Sequence, residues 1–206
     1  MNPHGSTPCE FIGVLLAAGR GRRMGTTKQL LPWKTGEGEK PLVAAAFDAI
    51  SSWCSHMIVV LGHDAEKVAT ALHPRSFQTV TSNPDASMYE SIRHGLIASQ
   101  QIDKQFPILL HPADHPEVHP FTLSRLHDAW KQHPEWAVMP EYEEKGGHPV
   151  IIPSLLTTQL IEYSGEGGLR QFWLDHPDTC LRVIVDDPIV IRDMDTPDQY
   201  LKRQSK

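Results

Sequence analysis

The chain has 206 residues, of which 40% are hydrophobic, 21% charged and 7% aromatic, the composition of a folded domain rather than of a disordered, collagen-like or disulfide-rich chain. Its 19 Lys and Arg stand against 25 Asp and Glu, a formal net charge of -6, so no broad basic surface for a nucleic-acid backbone is expected. Cys9, Cys54 and Cys180 form no C-x-x-C pair, and the chain shows neither a signal peptide nor an apolar run near the roughly 18 residues of a membrane helix; a reducing, cytoplasmic setting without membrane, zinc or disulfide framework is expected.

The first ten residues are expected to be a disordered tail ahead of a single domain, 11–206. Residues 11–18 form a continuous apolar run that stops at Gly19, which predicts a strand buried on both faces of a parallel sheet. A Gly/Arg-rich loop follows. Pro41 can open a helix, and the alanine-rich stretch 42–53 predicts one. Residues 57–61, ending at Gly62, predict the next strand, 64–72 a helix, 77–81 a short strand and 88–99 a helix. A second buried run, 106–110, ends at His111-Pro112-Ala113-Asp114-His115-Pro116. That puts a carboxylate just beyond a strand's carboxyl end, the edge at which open parallel sheets bind ligands. A helix at 121–132, strands at 136–139 and 149–152, helices at 155–163 and 169–174, a strand at 181–185, an extended piece at 189–191 and a helix after Pro197 complete the chain. This alternation predicts an α/β domain with a mainly parallel sheet.

The richest stretch is Leu15-Leu16-Ala17-Ala18-Gly19-Arg20-Gly21-Arg22-Arg23-Met24-Gly25-Thr26-Thr27-Lys28. A buried strand opens into a loop with three glycines and four cations. Glycine lets the backbone approach a ligand closely, while free amides and cations neutralise an anion, a combination that suits a polyphosphate. It lacks the Gly-Lys-Ser/Thr of a Walker loop, and Met24 stands where G-x-G-x-x-G needs its third glycine.

Continued through Gln29-Leu30-Leu31-Pro32, this string resembles the signature loop of the MobA-like nucleotidyltransferases, most closely the molybdenum cofactor cytidylyltransferase branch. Further segments are similar in order. Asn83, Met88, Ser91 and Gly95 resemble an Asn, Gly-Met, Ser, Gly-Leu series, with Ser87 for its glycine. Ala113-Asp114-His115-Pro116 resembles Ala-Asp-Gln-Pro, and Gly147-His148-Pro149-Val150 matches closely. Gly165 to Arg170 resembles Gly-Asp-x-Gly-Ala-Arg, with Glu166 and Leu169 as departures, and Asp193-Met194-Asp195-Thr196-Pro197 resembles Asp-Ile-Asp-Thr-Pro. The stretch between Pro32 and Pro41 is long for the family and is expected to be a mobile loop, with Trp33 at its border in reach of ligand.

The resemblance implies a three-layer, Rossmann-like nucleotidyltransferase fold and transfer of a nucleoside monophosphate to a phosphate-bearing acceptor, with release of pyrophosphate. The acceptor implied is molybdopterin or molybdenum cofactor, and a molybdenum apo-enzyme would receive the product. Arg23 and Lys28 would offset the triphosphate charge, and the amides of Leu16, Ala17, Ala18, Gly19, Gly21, Met24 and Gly25 would line the nucleotide. Asn83 and Ser91 would help select the base. Leu-Ala-Ala-Gly, in place of the Leu-Ala-Gly-Gly of the guanylyltransferase branch, points to CTP, since Ala18 adds a methyl where a purine needs room. His148 and Arg170 would face the acceptor. Mg2+ would be held by Asp114 and by Asp195 or Asp193; for Asp114 the alternative is a helix N-cap. No side chain stands out as a base, and none is needed, because a phosphate monoester with a second pKa of about 6 is largely ionised near neutrality.

Two other readings stay open: transfer to a sugar phosphate or an alcohol phosphate on the same fold, and a non-catalytic carrier that delivers cofactor to an apo-enzyme. Arg23, Lys28 and Asp114 weigh against the carrier, which has no departing pyrophosphate to neutralise. His111, Asp114, His115 and His119 hold zinc-ligand chemistry, but Pro112, Pro116 and Pro120 prevent a helical i, i+4 alignment.

Overall fold

The computed structural model describes residues 9–19, 25–164, 166–192, 194 and 196–204. The expected tail falls mainly on residues 1–8, outside that range. Within it, Glu10 is tied down, 2.6 Å from the Lys131 ammonium and 3.1 Å from the His127 ring.

Among the described residues the strands are β1 (Phe11–Ala17), β2 (Pro32–Thr35), β3 (Gly38–Pro41), β4 (Cys54–Leu61), β5 (Gln78–Thr81), β6 (Ile108–Pro112), β7 (Ala137–Tyr142), β8 (Lys145–Gly146), β9 (Val150–Ile152) and β10 (Cys180–Ile184). The helices are α1 (Leu42–Ser51), α2 (Ala65–Ala71), α3 (Met88–Ile102), α4 (Pro120–Gln132), α5 (Ser154–Glu162), α6 (Gly168–Asp175) and α7 (Pro197–Gln204). The main sheet runs β5-β4-β1-β6-β9-β7-β10. β1 pairs in parallel with β4 and β6, β4 with β5, and β7 with β10. β9 lies antiparallel between β6 and β7. The parallel α/β sheet is as expected; the direction of β9 was not specified by its apolar run.

Side-chain alternation sorts the core into two halves. From β1, Phe11, Leu15 and Ala17 face α1, α2 and α4, joined by Val59 and Leu61 of β4, Leu109 of β6 and Ile151 of β9. Ile12, Val14 and Ala18 face α3, α5 and α6, joined by Ile58 and Val60, Leu110, Val150 and Ile152. Helices therefore cover both faces, which makes three layers. Helix α3 starts at Ser87, whose Oγ accepts the Glu90 N–H at 3.2 Å, and buries Ile92 and Leu96, each stabilising by about 1.5–3 kcal/mol. At Gly95 it rides close over the sheet, since a Cβ there would stand 2.5 Å from Val14 Cγ1.

Three expectations change. The stretch after Pro32 is an antiparallel hairpin, β2–β3, rather than a loop, with Thr35 paired to Gly38; glycine at 38 supplies the φ of 121° that the tight turn needs. Its Trp33 is buried against Leu42, Ala45 and Met194, so it serves packing rather than a ligand. The extended piece at 189–191 is a 3-10 turn, Pro188–Ile191, because the Asp187 carboxylate accepts the Ile189 N–H at 3.0 Å and Pro188 has the φ a helical start requires.

Candidate active site

The edge that carries the site is made by the carboxyl ends of β4, β1 and β6, neighbours in the sheet. At the end of β1, Ala17 and Ala18 are buried and Gly19 is exposed. The β4 run ends at Gly62, which is packed on the β1 end: a Cβ there would lie 2.5 Å from the Ala18 carbonyl oxygen and 3.0 Å from its Cα. β6 continues the pairing one step further, the Ala113 N–H donating to the Leu16 carbonyl at 3.0 Å. Asp114 is thereby delivered beside the β1 loop. It does not cap α4, which begins at Pro120 with the His119 ring accepting the Phe121 N–H.

Of the loop itself, Gly21, Arg23 and Met24 lie outside the described residues, as do Asp193 and Asp195 near the C-terminus. The chain returns at Gly25, with φ of 66° and open space where a Cβ would stand. Then three consecutive residues reach three different strand ends. Thr27 Oγ1 donates to the Asp64 carboxylate after β4. Lys28 Nζ donates to Asp114 Oδ2 after β6 at 2.7 Å. Gln29 Nε2 donates to the Ala17 carbonyl at 3.1 Å and the Gly19 carbonyl at 2.7 Å, after β1. All three side chains belong to buried residues, so these donors would be costly to leave unpaired, although the Asp64, Asp114 and Gly19 acceptors are partly open to solvent. Asp64 accepts this duty in the left-handed region, at φ 54°.

The Lys28–Asp114 pair has side chains 11% and 20% exposed. Burial pushes the Asp114 carboxyl up, but the charges of Lys28 and His115 and the Lys28 hydrogen bond outweigh it and hold the carboxyl below its ordinary range. Asp114 is thus kept ionised while Oδ1 stays free of Lys28.

Histidines pack behind this carboxylate. The His115 ring is buried, with Nε2 4.0 Å from Asp114 Oδ1. The rings of His111 and His148 flank it at centroid distances of 6.0 and 5.5 Å. His148 is held by its N–H to the Val190 carbonyl at 2.9 Å, and the preceding Gly147 is required because a Cβ there would strike the same carbonyl oxygen. So His148 is brought close to Asp114 through His115, whereas among the described residues no hydrogen bond or ion pair links the exposed Arg170 of α6 to this centre. Ser91 is buried under the edge, its Oγ 3.0 Å from Ser82 Oγ. Asn83 is exposed above it and accepts the Asp85 N–H at 3.0 Å.

His111 Nε2 lies 2.7 Å from the His115 carbonyl, which can only accept, so Nε2 carries the proton and neutral His111 has a bare, buried Nδ1. Burial, with His115 second, pulls its pKa down to about 3. Between that value and about 6.5 the unfolded chain binds a proton that the native chain refuses, so stability falls as pH drops through this window and is unaffected above it. We expect a His111→Gln variant to lose less unfolding free energy, measured by urea denaturation, between pH 7 and 4.5 than the parent, by up to about 1.4 kcal/mol per pH unit. Equal losses would show that His111 does not contribute.

Residues 13–180 match the family described as MobA-like NTP transferase domain. The chain belongs to that family. Members of this NTP transferase family set the class of reaction: nucleotidyl transfer from an NTP to a phosphate-bearing acceptor. Among similar proteins, the molybdenum cofactor cytidylyltransferase of Escherichia coli K12 is 25% identical over 197 residues, 94% of this chain and 95% of that one. The nicotine blue oxidoreductase of Paenarthrobacter nicotinovorans is 28% identical over 205 residues, 95% of this chain and 96% of that one. The Rv0371c protein of Mycobacterium tuberculosis H37Rv superposes with a TM-score of 0.78 at 26% identity, covering 96% of this chain and 99% of that one; it has also been solved in complex with manganese. Within the described residues no helix is long and apolar enough to cross a membrane.

Thr27, Gln29, Gly62 and Asp64 were not singled out from the sequence. Gly62 had a signal, a glycine closing a buried strand. The other three pair across the fold, and only the fold reveals them.

Proposed function

We propose that this MobA-like NTP transferase is a cytidylyltransferase that moves CMP from CTP to molybdopterin or molybdenum cofactor and releases pyrophosphate. The observation that carries this reading is the buried Lys28–Asp114 pair at 2.7 Å, set at the end of a glycine-rich loop on the binding edge of the sheet. An acceptor phosphate oxygen forms the new bond to the α-phosphorus as the bond to the β-phosphate's bridging oxygen breaks, and pyrophosphate leaves with the electron pair. The acceptor arrives ionised, so the protein's work is positioning and charge neutralisation. Lys28, with Arg23, offsets the charge that builds on the leaving pyrophosphate. In this reading His148, whose ring packs on His115, and Arg170 would contact the acceptor.

A divalent metal fits the donor chemistry of Asp114, an ionised hard oxygen ligand with Oδ1 not taken by Lys28. Mg2+ would be held by Asp114 with Asp195 or Asp193, and when bound would supply positive charge to the α-phosphate and the acceptor. The manganese complex of the Rv0371c protein supports this choice. Similarity to the E. coli cytidylyltransferase over nearly the whole chain and the methyl of Ala18 support CTP, with Asn83 and Ser91 near the base. A molybdenum apo-enzyme would then take up the finished cofactor.

The test is pyrophosphate release from each of the four NTPs with Mg2+ and a pterin phosphate acceptor. CTP is expected to exceed GTP by about 10-fold or more, the discrimination a single methyl-sized difference in a tight pocket provides. Equal or reversed rates would sink the cytidylyl assignment. A sugar phosphate replacing the pterin as the better acceptor would sink the acceptor assignment, and no release from any NTP would leave the redox chemistry named for the nicotine blue oxidoreductase as the reading to test.

A further inference from the structure

We propose that the cleft between the β2–β3 hairpin, the Pro188–Ile191 turn and α7 is a second anion site, taking a phosphoryl group that carries two or more negative charges. Trp33 and Tyr200 join the hairpin to α7: their rings lie 6.4 Å apart and the Tyr200 hydroxyl donates to the Pro32 carbonyl. On the other side of this junction the elements part around a cleft of about 1210 Å3. Lys34, Arg192, Lys202 and Arg203 line it against one carboxylate, Glu117. In a chain of net charge -6, four cations against one anion among the described lining residues is a local reversal of sign, and their mutual repulsion favours a bound anion.

Arg203 gives the cleft its specific chemistry. Its side chain is only 12% exposed, and the nearest carboxylate oxygen recorded for it, on Glu117, is 3.9 Å from Nη2, too far for a hydrogen bond. Nη1 donates to the Arg192 carbonyl at 3.1 Å, which fixes the plane of the guanidinium. Nη2 is buried with no hydrogen-bond acceptor among the described residues. Such a donor is costly to leave unmade, and a fixed guanidinium fork matches two oxygens of one phosphoryl group. Burial also lowers the Arg203 pKa, with Glu117, Asp114 and Asp187 opposing and Arg192 adding to the effect.

The cleft exceeds the needs of a bare anion, and Ile189 and Ile191 give it an apolar wall. Two sources share the chemistry: free pyrophosphate, or an organic phosphate whose body lies on the isoleucines. The Asp114 charge reaches Arg203, so the cleft adjoins the Lys28–Asp114 centre, but neither residue of that pair lines it and the site stands or falls without the cytidylyl reading.

Calorimetric titration of the full chain with inorganic pyrophosphate and with phenyl phosphate tests it. At least one is expected to bind in a step that Lys28→Met leaves in place, that Arg203→Met weakens about 10-fold or more, the value of one charge-assisted hydrogen bond, and that Lys202→Glu also weakens. Tighter binding of phenyl phosphate identifies an organic ligand, and tighter binding of pyrophosphate a free anion. Binding unchanged by both cleft variants, or abolished for both ligands by Lys28→Met, would overturn the proposal. If Arg203→Met does not fold, Lys202→Glu and the exposed Arg192→Gln decide by the same criterion.

Discussion

Asp114→Asn is expected to slow pyrophosphate release by roughly 10²–10³-fold, the range found when one preorganised charge-stabilising group is removed from an active site. Asparagine keeps the shape of the side chain and an oxygen for Lys28, so the change is almost purely one of charge. Two consequences follow from the 2.7 Å pair. The variant loses the anionic oxygen ligand for a divalent cation, and the mostly buried Lys28 ammonium loses the Asp114 counter-charge. Removing one partner of a fully buried pair costs about 3–5 kcal/mol, and partial exposure here places the loss at or below the bottom of that range. Lys28→Met alone removes the carboxylate's nearest counter-charge, so the double variant should be less destabilised than the sum of the singles, which urea denaturation would show. Catalysis and stability separate cleanly in this design: the double variant regains stability and stays inactive. Pyrophosphate release within threefold of the parent in Asp114→Asn would remove the carboxylate from the reaction. Unchanged magnesium dependence of nucleotide binding in Asp114→Ala would favour a carrier instead.

The second large effect is expected at a residue that touches no substrate. Gly62→Ala puts a methyl 2.5 Å from the Ala18 carbonyl oxygen and 3.0 Å from its Cα. Both atoms are backbone, so the end of β1 must shift, at a cost of about 1–3 kcal/mol in stability. The shift falls on Ala18 and Gly19, where the proposed nucleotide cradle begins, and displacement of that order can cost about 10²-fold in rate. Gly95→Ala is the control. Its methyl would also meet an atom at 2.5 Å, but that atom is Cγ1 of Val14, a side chain inside the core. We expect Gly95→Ala to lose stability alone, and Gly62→Ala to lose both stability and kcat/KM. If the two variants lose activity equally at matched temperature below their melting ranges, position in the cradle is not what matters.

What could be read from the residues followed physical scale. Long apolar runs such as Phe11 to Ala17 and Met57 to Leu61 announced central strands; Asp114 was legible because it sits just past a strand's end, and Lys28 because it closes the glycine- and cation-rich string after β1. The β2–β3 hairpin was not recognised, since a four-residue strand shows one alternation, Trp33 in and Lys34 out, and its glycines read equally well as a loop. The turn after Asp187 was misread for a related reason: Ile189-Val190-Ile191 favours a strand by side-chain type, and the capping carboxylate and Pro188 override that preference. Strand direction left no trace in Val150-Ile151-Ile152, which is apolar at every position. Ser91 could be chosen as polar and near the site, but not as a partner of Ser82, because that pair exists only once α3 lies on the end of β5.

The Gln29 side chain closes the signature loop on itself. By donating to the carbonyls of Ala17 and Gly19, it ties the chain after the loop to the chain before it, at the end of β1. A segment whose ends are fixed a hydrogen bond apart can change its length and sequence without altering the frame beneath it, because lengthening an already closed loop costs little. Insertion or deletion between Gly19 and Gly25 is therefore expected to leave the sheet, the Lys28–Asp114 pair and the histidines behind it in place.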